Sequence, residues 1–155
     1  MQGLNDNGSG SIGILELALN LRQYFIPNAV RFSWWAAEED GLIGSIHYVE
    51  GLSEEELAKI ALYLNFDMIG SPNPGHFVFD PDCSNAEVPE ECPPAGVAHI
   101  RNTFQRYYSQ SARIPSRTLD WGGASDYQPF LDAGIPSGWI TTGADEVITP
   151  EQAAL

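Results

Sequence analysis

Two adjacent carboxylates, Glu38 and Glu39, close the aromatic-apolar run Val30-Arg31-Phe32-Ser33-Trp34-Trp35-Ala36-Ala37. A carboxylate pair can share a proton, hold a cation or divide into a ligand and a base, because like charges at close range need a partner. A third acid, Asp67, sits among hydrophobic neighbours in Leu62-Tyr63-Leu64-Asn65-Phe66-Asp67-Met68-Ile69-Gly70. An isolated ionised Asp in such a place costs several kcal/mol, so it needs a partner or a metal. A fourth, Asp6, lies in Asn5-Asp6-Asn7-Gly8-Ser9-Gly10-Ser11, whose small residues allow close backbone approach. Asp6, Glu39 and Asp67 form a hard-ligand set, with Glu38 beside it as a candidate base. The plainer alternative for Glu38 and Glu39 is an acidic loop.

The elements that must position these acids follow from the pattern. Residues 9–24 read as an apolar helix, with Ser9 or Ser11 able to cap it. Residues 29–36 read as a buried strand that delivers Glu38 and Glu39 to its C-terminal end, the edge where open α/β sheets bind ligands. Phe32, Trp34 and Trp35 are then expected in the core. Residues 44–49 and 52–57 read as short helices, the second opened by Ser53 with Glu56 three residues on, a capping-box spacing. The run Glu54-Glu55-Glu56 is its solvated start. Strands are expected over 60–67, 76–79 and 135–141, and helices over 95–109 and 125–132. This alternation predicts a three-layer α/β/α sandwich with a mixed central sheet. Asp126 and Tyr127 fall at a helix N-terminus, where an acid suits the helix dipole.

At 155 residues the chain forms one domain at most, long enough for a core, and 43% hydrophobic content fits a globular protein. A net charge of −14 argues against nucleic acid and anionic membranes as partners. No run of about 18 apolar residues is present. Met1 to Leu4 lack the basic start and apolar core of a signal segment. Cys83 and Cys92 bracket a polar, turn-rich segment, and a disulfide-closed surface loop is expected there. Their spacing does not suit a zinc finger.

Four motifs in order carry a resemblance: the Asp6 segment, Phe32 to Ser45 around Glu38-Glu39, Asn65 to Gly75 around Asp67, and Ser125-Asp126-Tyr127-Gln128-Pro129-Phe130 with Gly134-Ile135-Pro136 and Thr142-Gly143-Ala144. Over nearly its whole length the chain resembles the secreted bacterial and fungal di-zinc aminopeptidases of metallopeptidase family 28. The resemblance implies a zinc-exopeptidase fold and hydrolysis of the N-terminal peptide bond of extracellular peptides. It implies that Asp6 bridges two zinc ions, that Glu39 and Asp67 each hold one, and that Glu38 is the general base. Met68, which follows the candidate ligand Asp67, is a candidate for the side-chain pocket, with Ile140 and Thr141 weaker candidates, and Tyr127 is a candidate for the pocket wall. Peptides with a free N-terminus are the implied partners, and an extracellular, monomeric parent the implied setting.

The family's two other zinc ligands are His, one in a His-Leu-Asp-type segment upstream of the Asp6 motif and one in a Cys-Tyr-His segment downstream of Thr142-Gly143-Ala144. The 155 residues contain neither, and His47, His76 and His99 fall where the family shows no ligand. Ala124 stands where some relatives carry an Arg that contacts the substrate terminus. The chain therefore reads as a partial catalytic domain, expected to hold one zinc ion or none where the complete site holds two, and to show little activity alone. Two competing readings are an inactive relative that keeps the acidic cluster and a calcium-binding domain built on the same oxygens. A two-carboxylate glycosidase fails on context, since it needs no Asp6-type glycine-rich segment.

Overall fold

The computed structural model describes residues 3–72, 74–80, 93–120 and 122–143. Cys83 and Cys92, and with them the expected disulfide, lie outside the described residues.

The elements run α1 (Gly8–Leu21), α2 (Ile43–Glu50), α3 (Glu54–Leu57), β1 (Tyr63–Phe66), β2 (Phe77–Phe79), α4 (Val97–Arg106), a π-helical turn (Tyr107–Ala112), β3 (Arg117–Leu119), α5 (Gln128–Asp132) and β4 (Ser137–Thr141). The sheet order is β1-β4-β2-β3, with β1 parallel to β4, β2 antiparallel to β4 and β3 parallel to β2. This is a mixed sheet.

Side-chain alternation shows the layers. Tyr63 pairs with Ser137, so Tyr63 and Gly138 face opposite sides. On one side Tyr63 stacks on Phe130 of α5 at 3.9 Å between ring centroids. On the other, a Cβ added to Gly138 would lie 2.4 Å from Ile100 Cγ2 of α4, so only glycine lets that helix approach so closely. Helices thus cover both faces, giving the expected α/β/α arrangement. One core cluster joins Phe79, Val97, Tyr127 and Trp139, and a second joins Val49, Phe130 and Ile135.

Local chemistry sets several element ends. The Ser53 hydroxyl accepts the Glu56 amide while the Glu56 carboxylate accepts the Ser53 amide, so the capping box forms, and Glu54 to Glu56 are exposed. α1 is capped by Asn7, whose Oδ1 accepts from Gly10 N, rather than by Ser9 or Ser11. Ser9 instead donates to the Asn5 carbonyl.

The structure departs from the sequence-based expectations at several places. Residues 29–36 form no strand: among the described residues, no backbone ladder partner lies beside 29–35. Apolar character marked the segment, but a strand exists only where another backbone completes its hydrogen bonds. Without that neighbour Trp34 stays 51% exposed, and Phe32 and Trp35 are only half-buried. Trp35 still packs against the second cluster. The helix over 95–109 is α-helical only to Arg106 and continues as the π turn. The helix over 125–132 begins at Gln128, with proline in its first turn. β3 is an edge strand whose Arg117 and Thr118 are exposed, and no strand was expected there.

Candidate active site

A cleft of about 440 Å³ runs along β1, between it, α1 and residues 33–35, and five carboxylates line it: Asp6, Glu38, Glu39, Asp67 and Asp126. They come from four segments distant in sequence, and specific contacts hold each of them.

The Asp6 segment is stitched to the chain that leaves β1. Gly70 N donates to Asn5 Oδ1 (3.0 Å), Ile69 N to Ser9 Oγ (3.0 Å) and Asn7 Nδ2 to the Phe66 carbonyl (2.9 Å). A Cβ on Gly10 would stand 2.0 Å from the Phe66 carbonyl oxygen, so α1 can start this close to β1 only with glycine there. Asp6 is thereby brought to the end of β1, where Asp67 follows Phe66.

Asp67 is 8% exposed. Its Oδ2 accepts from Ser125 Oγ at 2.7 Å. Ser125 Oγ in turn accepts from Asn65 Nδ2 at 2.9 Å, Asn65 Oδ1 from the Tyr63 hydroxyl at 3.1 Å, and that hydroxyl from Trp35 Nε1 at 3.0 Å. A continuous line of donors therefore ends on Asp67, and in a poorly solvated place such a chain holds its members in one orientation. Asp67 Oδ1 is buried without a hydrogen-bond partner. Just past it the chain turns at Met68 (φ 53°), whose carbonyl accepts from Thr142 N, Thr141 Oγ1 and Thr142 Oγ1.

Glu38 and Glu39 sit on a loop that folds back into α2. The Glu38 carbonyl accepts from the amides of both Gly41 and Leu42, and the carbonyls of Ala37 and Ala36 accept from Ile43 and Gly44. Ala37, Gly41 and Leu42 all have left-handed φ, at 57°, 100° and 59°.

The electrostatics follow from this crowding. Burial first, then the charges of Asp67, Asp126, Glu39 and Asp6, push Glu38 up to about 7. A shared hydrogen bond with Asp6, and then Asp6's charge, hold Glu39 above the ordinary carboxylate value. Burial raises Asp67 against the opposing pull of the Ser125 hydroxyl. Burial raises Asp126 against that of Ser45. Each of these acids is more easily neutralised in the fold than in the unfolded chain, so the stability they contribute is full at low pH and lost as pH rises through the raised values. Metal-free protein is therefore expected to lose stability between the ordinary Glu value of 4.5 and about 7. Thermal melts in chelator across that window check this, and a flat or rising melting temperature would contradict it.

Two observations fit a cation in the cleft: the orphaned Asp67 oxygen, and like charges that a cation would relieve. The donor set is incomplete, however. Among the described residues no group of three or more His, Cys, Asp and Glu converges to hold a metal ion. Every donor in the cleft is oxygen, whereas zinc sites ordinarily include nitrogen or sulfur.

The candidate pocket residues Met68, Tyr127 and Ile140 are not among the residues lining this cleft. Tyr127 is 1% exposed in the core cluster with Phe79 and Trp139, its hydroxyl accepting from Gly123 N. Ile140 is half-buried within β4, and Met68 takes part through its carbonyl. Conversely Asp126, read from sequence as suiting a helix dipole, lines the cleft. Its place immediately after Ser125 was the signal available, since the two adjacent residues reach Asp67 and the cleft together.

Comparison with known proteins gives the following. The model for peptidase family M28 matches residues 1–152. Leucine aminopeptidase 2 of Trichophyton equinum is 46% identical over 153 residues, which is 99% of this chain and 30% of that protein. Probable leucine aminopeptidase 2 of Aspergillus fumigatus is 48% identical over 153 residues, with the same shares. Among solved structures, a zinc aminopeptidase from Bacillus subtilis matches with a TM-score of 0.73 and 33% identity, over 96% of this chain and 34% of that one. An aminopeptidase from Aneurinibacillus sp. strain AM-1 matches at 0.71 and 28%, over 91% of this chain and 31% of that one. The chain thus spans about 30% of the length of the curated relatives it matches. Among the described residues, no helix is long and apolar enough to cross a membrane.

Proposed function

The chain belongs to peptidase family M28, and from that membership and its cleft we propose that it supplies part of the catalytic centre of a zinc-dependent aminopeptidase acting on extracellular peptides. The observation that supports this reading is the meeting of Asp6, Glu38, Glu39 and Asp67, from three separate segments, in one cleft. Asp6, Glu39 and Asp67 would hold zinc, with the imidazoles that the resemblance places outside these 155 residues. Bound zinc would supply a Lewis acid for the carbonyl and a water made acidic enough to lose its proton near neutral pH. Glu38 would be the base, half-buried at the cleft next to the candidate ligand Glu39, taking a proton from the water and returning it to the leaving amine. The carboxylates that remain charged favour a substrate's free α-ammonium, which accounts for attack at the N-terminus. The relatives' names lead us to extend the proposal to apolar N-terminal residues such as leucine.

The test is hydrolysis of aminoacyl-nitroanilides by the whole enzyme, with loss of activity to chelators and recovery with zinc. Chelator-insensitive activity, or equal cleavage of N-acetylated substrates, would overturn the proposal. The all-oxygen donor set favours one second reading, a calcium site. It would appear as calcium binding with no zinc-restored hydrolysis.

A further inference from the structure

We propose that Asp126 is a positioning residue, which holds the loop bearing Glu38 and Glu39 through the hydroxyl of Ser45. The proposal rests on the aminopeptidase reading above. Ser45 lies in the first turn of α2 and has no exposed surface. Its Oγ donates to Asp126 Oδ1, across 81 residues of sequence. That first turn is continuous with the loop. Ile43 N and Gly44 N donate to the carbonyls of Ala37 and Ala36, and a Cβ on Gly44 would lie 2.6 Å from the Ala36 carbonyl oxygen.

The loop needs an external hold. α2 begins at Leu42 in the left-handed region with no side-chain cap, and Ala37 two residues before Glu39 is left-handed as well. Non-glycine residues in that region persist only where surrounding structure fixes them. The opposite end of the tie is rigid. Asp126 is buried between Ser125, which reaches Asp67, and Tyr127, which is locked in the core. One short segment, Ser125-Asp126-Tyr127, therefore references two of the carboxylate-bearing segments of the cleft to the same core: Asp67 through Ser125, and the Glu38 loop through Asp126 and Ser45.

In the whole enzyme, Ser45→Ala and Asp126→Ala are each expected to lower kcat by about 10–100-fold, the scale of a misplacement near 1 Å. KM and zinc content should stay within about twofold. The double variant should be no slower than the slower single, because both remove one tie. Asp126→Asn, which keeps an acceptor for the hydroxyl, should recover most of the loss seen in Asp126→Ala. Additive losses, unchanged kcat in both singles, or loss of zinc from Asp126→Ala would overturn the proposal. So would unfolding of both singles in thermal melts, which would make the pair a structural tie only. Absence of aminopeptidase activity in the unaltered enzyme would instead defeat the functional reading beneath it.

Discussion

Glu38→Gln in the whole enzyme is expected to lower kcat by about 10²–10⁴-fold, the usual weight of a general base. Zinc content should remain near normal. Glutamine keeps the shape and hydrogen-bonding reach of the side chain but cannot accept the proton. Without metal, burial first and then four neighbouring carboxylates push the proton affinity of Glu38 up to about 7, and a bound cation would draw it back down. The substitution also makes a prediction of opposite sign. In metal-free protein above about pH 7, removing this destabilised charge should leave the fold as stable as before or more so. Near-normal turnover in Glu38→Gln would end the base assignment.

Asp67→Ala is expected to act through the metal instead. Changing a partner outside the ligand shell commonly costs about 10–100-fold in metal affinity, so removing a ligand should cost more than roughly 100-fold. Activity should fall with zinc stoichiometry. Asp67 carries the buried oxygen without a partner, at the end of the donor line from Trp35, Tyr63, Asn65 and Ser125. Replacing it with alanine also leaves the Ser125 hydroxyl without its acceptor, so some loss of metal-free stability is the expected counterpart. Zinc content by atomic absorption together with turnover decides the matter. Two retained zinc ions with normal kcat would remove Asp67 from the ligand set.

How far the sequence spoke depended on whether the deciding interaction was local. The Ser53–Glu56 capping box needs only four residues of chain, and it formed as read. α1 and β4 fell within a few residues of their expected limits, because periodicity and glycine placement are also local signals. Residues 29–36 failed because strand formation depends on a partner that hydrophobicity does not name. β3 was overlooked for the mirror reason: its polar residues carry no alternation, and only pairing with β2 makes it a strand. In the site, Asp67 stood out because a charge within an apolar run is conspicuous in one dimension. Asp126 did not, because its meaning lies in Ser45, 81 residues away. Tyr127 lies in the core cluster while its neighbour Asp126 lines the cleft, a distinction that sequence adjacency hides.

α1 has a consequence for handling the protein in solution. Ile12, Leu15 and Leu19 on that helix stand exposed, as do Tyr24 and Phe25 just beyond it, Phe25 at 94%. Molecules bearing such a surface stay dispersed through mutual charge repulsion, here from a net charge of −14 at pH 7. That repulsion vanishes near the isoelectric point of about 4.2. Acidic buffer that relaxes the crowded carboxylates and tightens the metal-free fold therefore also lets the sticky faces meet. Conformational and colloidal stability pull in opposite directions along the pH axis, and clouding in acid would report association of folded molecules rather than denaturation.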